Sequence, residues 1–87
     1  MQIFIKSSEL VEQIIEGETV VLDKTAGLIH QLNATASTIW KACDGVATIS
    51  DIAEQIAGQY DIDIKKAKAD VEETLQQLEQ QNLVRPV

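Results

Sequence analysis

The chain has 87 residues, 45% of them apolar and only 3% aromatic, with a formal charge of −7. That length builds one modest core, here of Ile, Leu, Val and Ala, without staples. The acidic balance opposes phosphate backbones and anionic membranes. A single cysteine excludes an intramolecular disulfide or a cysteine metal cluster, and no apolar run approaches the roughly 20 residues of a membrane span.

The first residues, MQIFIKSSEL, lack a basic region followed by a long apolar run, so they do not read as a signal peptide. The expectation is a soluble, cytoplasmic, single-domain protein. Ile3, Phe4 and Ile5 form a short β-prone run, either an extra strand or a loose arm. Leu10–Ile15 is apolar and β-branched, and Glu16-Gly17-Glu18 marks a turn. Thr19–Leu22 reads as a second strand. Asp23–Gly27 reads as a hairpin loop in which Gly27 can take a positive φ. Leu28–Leu32 reads as a third strand. Short connections favour an antiparallel meander. Alternation is imperfect in all three strands, so the pattern leaves their inward faces open.

The period then changes from two to 3.6. Asn33 is a good N-cap for a helix over Thr35–Cys43, with Ala36, Ile39, Trp40 and Cys43 on one face. Asp44-Gly45 is expected to stop it. Thr48-Ile49-Ser50-Asp51 has capping-box spacing and opens a second helix, with Ala47 and Ile52 placed as a hydrophobic staple. Its apolar stripe is Ile49, Ile52, Ala53, Ile56 and Ala57, and Gly58 lies near its end. A third helix runs from Ile64 to Gln81, capped by Asp63, with Ile64, Ala67, Val71, Leu75 and Leu78 as its stripe. Asn82 and Leu83 suit a Schellman ending, and Pro86 forbids continuation. Lys68 and Glu72 are spaced as an (i, i+4) ion pair. The fold class is therefore α+β and winged-helix-like: a three-stranded antiparallel sheet followed by three helices, β-β-β-α-α-α.

Little here carries reaction chemistry. His30 is the only histidine, with no neighbouring ligand, and reads as a strand residue. Cys43 sits at a helix C-terminus, where the dipole disfavours a thiolate, and reads as a packed thiol beside Trp40. Asp61 and Asp63 begin like a calcium loop, but Lys65 takes the next ligand position and the required glycine is missing. No glycine-rich phosphate loop is present. The chain reads as a binding protein without cofactor or metal, and not as an enzyme. One feature stands out. From Ala26 to Leu32 there is no Lys, Glu, Asp, Arg or Pro, so the third strand, an edge in a three-strand meander, is undefended against strand addition. Either another part of the chain covers that edge or a guest peptide adds there. The same edge would also permit a homodimer.

The ordered set Leu32-Asn33-Ala34-Thr35-Ala36-Ser37-Thr38-Ile39-Trp40, Cys43-Asp44-Gly45 and Thr48–Ala53 resembles the PqqD-like proteins. Val20–Asp23 before it, and Asp70–Leu78 and Asn82-Leu83-Val84 after it, fit the same pattern. The resemblance covers residues 8–84 or so. These proteins are RiPP recognition elements, which bind the leader of a ribosomally made precursor peptide. The resemblance implies a guest strand added to the third β-strand and lying against the third helix. It also implies a partner enzyme, such as a radical SAM protein or a leader peptidase, to which the precursor is presented.

Carried over by position, the peptide-binding residues are Gly27, Leu28, Ile29, His30, Gln31 and Leu32 on the strand. On the helix they come from Ile64, Lys68, Val71, Glu72 and Leu75, with the flank that faces the groove left open. Members serving pyrroloquinoline quinone synthesis carry a Tyr-Pro-Glu type segment before the Leu-Asn. Here that segment reads Asp23-Lys24-Thr25-Ala26-Gly27, which points to another peptide class, such as lasso or radical-SAM-modified peptides. Two alternatives stand beside this reading. One is a winged-helix DNA-binding regulator, opposed by a third helix whose Lys65, Lys66 and Lys68 face five acids for a net charge of −2. The other is a protein-binding adaptor without a leader peptide.

Overall fold

A computed structural model describes residues 3–87. The chain runs β1 (Ile3–Lys6), β2 (Leu10–Ile15), β3 (Glu18–Asp23), β4 (Leu28–Leu32), α1 (Ala34–Lys41), β5 (Asp44–Thr48), α2 (Ile49–Tyr60), α3 (Ile64–Gln80) and β6 (Val84–Pro86). The expected three strands and three helices are present as β2-β3-β4-α1-α2-α3. Three further strands form a second antiparallel sheet in the order β5-β1-β6.

The β2-β3-β4 sheet is an in-register antiparallel meander. Glu16 and Gly17 both take positive φ, 53° and 81°, between the paired residues Ile15 and Glu18. That is the two-residue turn whose twist matches the flanking strands. At the β3–β4 loop the Asp23 carboxylate accepts from the amides of Thr25 (3.0 Å) and Ala26 (3.1 Å). Gly27 closes the loop at φ 69°, donating its amide to the Asp23 carbonyl at 2.8 Å.

The N-terminal run is a strand and not a loose arm. β1 lies between β5 and β6 and buries Phe4. Helix α1 ends at Lys41, two residues before the sequence pattern suggested, and Asp44-Gly45 opens β5 instead of closing the helix. The physical reason is twofold. Asp44 Oδ1 accepts from the amides of Val46 and Ala47 at 2.9 and 2.8 Å, and β1 supplies a pairing partner from the far end of the chain. Gly45 does take the positive φ expected of it, 84°. It does so against β1, where an added Cβ would come within 3.2 Å of Ile5 Cδ1.

The other boundaries follow local chemistry. Asn33 caps α1 by accepting from Ala36 N. Thr48 and Asp51 form a full capping box on α2. Asp63 precedes α3 but makes no side-chain cap. At the end of α3, Leu83 N donates to Leu78 O (2.9 Å) and Asn82 N to Glu79 O (3.0 Å), with Asn82 at φ 61°. Those two bonds are the Schellman pair. The ion pair on α3 among the described residues is Lys66–Asp70, at 3.5 Å, and not Lys68–Glu72.

One core joins both sheets to the helices: Phe4, Val21, Leu32, Ile39, Trp40, Ile52, Ile56, Val71, Leu75, Leu78, Leu83 and Val84 belong to it. Trp40 Nε1 donates to the Leu83 carbonyl at 3.1 Å, and Lys6 Nζ lies 4.9 Å from the Trp40 ring centre. β2 contributes no buried residue. It is held chiefly by β3, with Leu10 packed partly buried against the core.

Candidate functional site

β4 pairs with β3 on one side only, so its other backbone edge is open. The N-terminal segment that could have covered it is occupied in the other sheet. An open row of amides and carbonyls on an uncharged strand is a template for a further strand.

The pleat divides the strand's side chains. Thr19, Val21 and Asp23 of β3 are buried toward the helices, and their cross-strand partners are Leu32, His30 and Leu28. The inner face of β4 is therefore Leu28, His30 and Leu32. Leu32 is in the core, His30 is half-buried, and Leu28 remains 51% exposed. His30 Nε2 is enclosed without a hydrogen-bond partner among the described residues. Thr19 hydrogen-bonds the Ser37 hydroxyl and ties this end of the sheet to α1. Ile29 and Gln31 point to the outer face, and Gln31 hydrogen-bonds the Glu18 carboxylate.

Helix α3 presents two flanks. A hollow of about 250 Å³ runs from Asn33, the residue that follows β4, past Thr35 and Ala36 to Asp70, Glu73, Thr74 and Gln77. Those four residues are the flank beside Asn33 and the start of α1. Glu72 lies on the other flank, where it lines a hollow with Phe4 and Ile49. Lys68 and Ile64 precede Glu72 at four-residue steps and share its row. Val71 and Leu75 are in the core, 0% and 1% exposed, and present no surface to a docked strand. Of the positions expected from sequence, the structure thus gathers Gly27–Leu32 along one open edge. It does not bring Ile64, Lys68 and Glu72 beside them. Thr74 and Gln77 carry no sequence signal of their own; the seating of α1 against α3 brings them beside Asn33.

Reaction chemistry is not concentrated here. Cys43 is buried, its Sγ donates to the Ile39 carbonyl at 3.3 Å, and burial pushes its thiol up to about 11. Asp44 is held below the usual carboxylate range by the amides of Ala47 and Val46. No group of three or more His, Cys, Asp or Glu among the described residues is placed to hold a metal ion. No helix of the described residues is long and apolar enough to cross a membrane.

The family model for Coenzyme PQQ synthesis protein D (PqqD) matches residues 18–84, from β3 through the first residue of β6. The chain belongs to the PqqD family. Two solved structures share its fold over nearly their whole length. One is a lasso peptide synthetase B1 complexed with the leader peptide, with a TM-score of 0.84 and 23% identity, covering 95% of this chain and 98% of that one. The other is TbiB1 in complex with the TbiA(beta) leader peptide, with a TM-score of 0.83 and 25% identity, covering 93% of this chain and 94% of that one. No curated protein matches. The PqqD match thus leaves out β1, the central strand of the second sheet, which the sequence did not announce.

Proposed function

We propose that this PqqD-family chain binds the leader segment of a ribosomally made precursor peptide and presents it to a modifying enzyme. The observation that carries the reading is the open, uncharged edge of β4, in a fold shared with two leader-peptide complexes. The leader adds as a strand along Gly27–Leu32. Backbone hydrogen bonds supply much of the attachment, at about 1 kcal/mol net each. Its inward side chains lie over Leu28 and His30 and against the Asp70, Glu73, Thr74 and Gln77 flank of α3. The enzyme partner is one that acts on the bound precursor, such as a radical SAM protein or a leader peptidase. The loop Asp23–Gly27, which lacks a Tyr-Pro-Glu type segment, favours a lasso-like or radical-SAM-modified peptide over the quinone precursor, and the likeness to a lasso peptide synthetase B1 supports this.

The test titrates synthetic leader peptides, taken from short reading frames neighbouring this chain's gene, by fluorescence anisotropy. Proline at Ile29 or at His30 removes one backbone donor. Neighbouring amides on a strand point to opposite sides, so only one of the two lies on the open edge. One proline variant should lose binding while keeping the helical circular dichroism, and Glu72→Gln should bind as the parent does. Normal binding by both proline variants would rule out strand addition at β4.

A further inference from the structure

The outer face of the β2-β3-β4 sheet is apolar and uncovered. Val11, Ile15, Val20, Leu22 and Ile29, with Gln13, line a shallow hollow of about 290 Å³ on it. The cross-strand register turns this patch into ordered rows. Val11 pairs with Leu22 and Leu22 pairs with Ile29, giving one apolar row across all three strands. The neighbouring row is Gln13, Val20 and Gln31. The apolar row ends at the open edge, on Ile29, which is 72% exposed. The inner face of β4 carries the half-exposed Leu28, while the flank of α3 beside Asn33 and the start of α1 is polar: Asp70, Glu73, Thr74 and Gln77.

A strand added to β4 extends each row by one residue. Its residue in register with Ile29 points to the same outer face, whether the strands run parallel or antiparallel. We infer that Ile29, at the end of the Val11–Leu22–Ile29 row, selects an apolar leader side chain on the outer face of the sheet and so sets the register of the bound leader. The inference rests on strand addition at β4 as proposed above. It commits the occupant of this face to the leader itself: an aliphatic or aromatic side chain opposite Ile29. A polar residue is tolerated beside it, opposite Gln31. Continuity of the row is what assigns that occupant. A slip of one residue would turn the leader's apolar side chain to the inner face and leave Ile29 beside a residue from the leader's other face. The outer face of the sheet therefore takes part in reading the register.

The experiment selects displayed random peptides of about twelve residues, twice the length of a typical strand, against the full-length chain. Parallel selections use Ile29→Glu, Ile29→Lys and the binding-deficient proline variant at Ile29 or His30. The parent should enrich peptides with an aliphatic or aromatic residue at one fixed position of a β-prone run. Ile29→Glu should exchange that residue for Lys or Arg, and Ile29→Lys should exchange it for Asp or Glu, because opposite charges pair directly across strands. Each parent winner should bind the two charged variants about fivefold more weakly. Because Ile29 is largely exposed, both variants should keep the parent's circular dichroism. Identical winners on the parent and both charged variants would overturn the row reading while leaving strand addition intact. A library that yields no binder sensitive to the β4 proline overturns strand addition itself, and the row reading with it.

Discussion

Cys43 shows how a single residue's setting decides between chemistry and packing. Its spacing placed it beside Trp40 at a helix end, and the structure buries it there. Burial favours the neutral thiol, raising it from 9.0 to about 11, with Lys6 opposing the shift and Asp44 adding to it. The consequence for stability has a definite sign. The unfolded thiol ionises first, so the contribution of Cys43 is intact below pH 9.0 and is lost as pH rises toward about 11. The expected loss is about 2 kcal/mol across that window. Lys and Tyr titrate in the same range, so the measurement is a difference: urea midpoints of the parent and Cys43→Ala at about pH 8 and about pH 10.5. The parent should lose more than the variant. Equal losses would mean that the thiol is not held neutral by the fold. Other single residues were readable for the same reason, that their partners are near in sequence. Asn33 meets the amide three residues on, and Asn82 turns α3 off through bonds to Leu78 and Glu79.

At the scale of elements, α2 is the part most fully written in its own sequence. Thr48 Oγ1 accepts from Asp51 N at 3.1 Å, and Asp51 Oδ2 accepts from Thr48 N at 3.0 Å. Each side chain satisfies a donor that the helix start leaves orphaned. Thr48→Ala should therefore cost about 1 kcal/mol in a chemical-denaturation experiment. Asp51→Ala should cost a similar amount, and the double variant clearly less than the sum, because the two bonds lock one backbone geometry. Full additivity would show that the bonds act independently. The second sheet was not legible by this route. β5 reads DGVAT, with no apolar alternation, and β6 has only Val84–Pro86. Both are strands because β1 pairs with them, and β1 stands at the opposite end of the chain. Local periodicity carries no term for a partner some 40 or 80 residues away. The same limit applies to the site. The open edge was legible as a run without charges, whereas its inner and outer faces needed the register, and the flank of α3 proposed to meet the leader needed the seating of α1.

Taken as a whole, the molecule places the open edge of β4 on a sheet whose outer strand, β2, is mostly exposed. The three helices and the β5-β1-β6 sheet share the core with the inward residues of β3 and β4, while β2 adds only the partly buried Leu10 at its edge. Binding a strand at β4 therefore asks little of the core, provided that the body holds β4 and α3 apart. Phe4 tests that division. It is 5% exposed, belongs to the central strand of the second sheet, and touches the hollow lined by Ile49, Leu75 and Glu72. Had residues 3–5 been a loose arm, Phe4→Ala would be close to silent. As a core residue it should cost about 3 kcal/mol, through lost burial and the cavity left behind. For a chain of this length that is a large share of the total stability, and a fall in melting temperature of well over ten degrees is expected. Leader affinity measured well below the new melting temperature should change little, because the β4 edge lies in the other sheet. A variant that kept its melting temperature would return the N-terminal segment to the status of an arm. One that lost leader binding while still folded would show that the second sheet reaches the groove, through Phe4 and the α3 turn carrying Leu75.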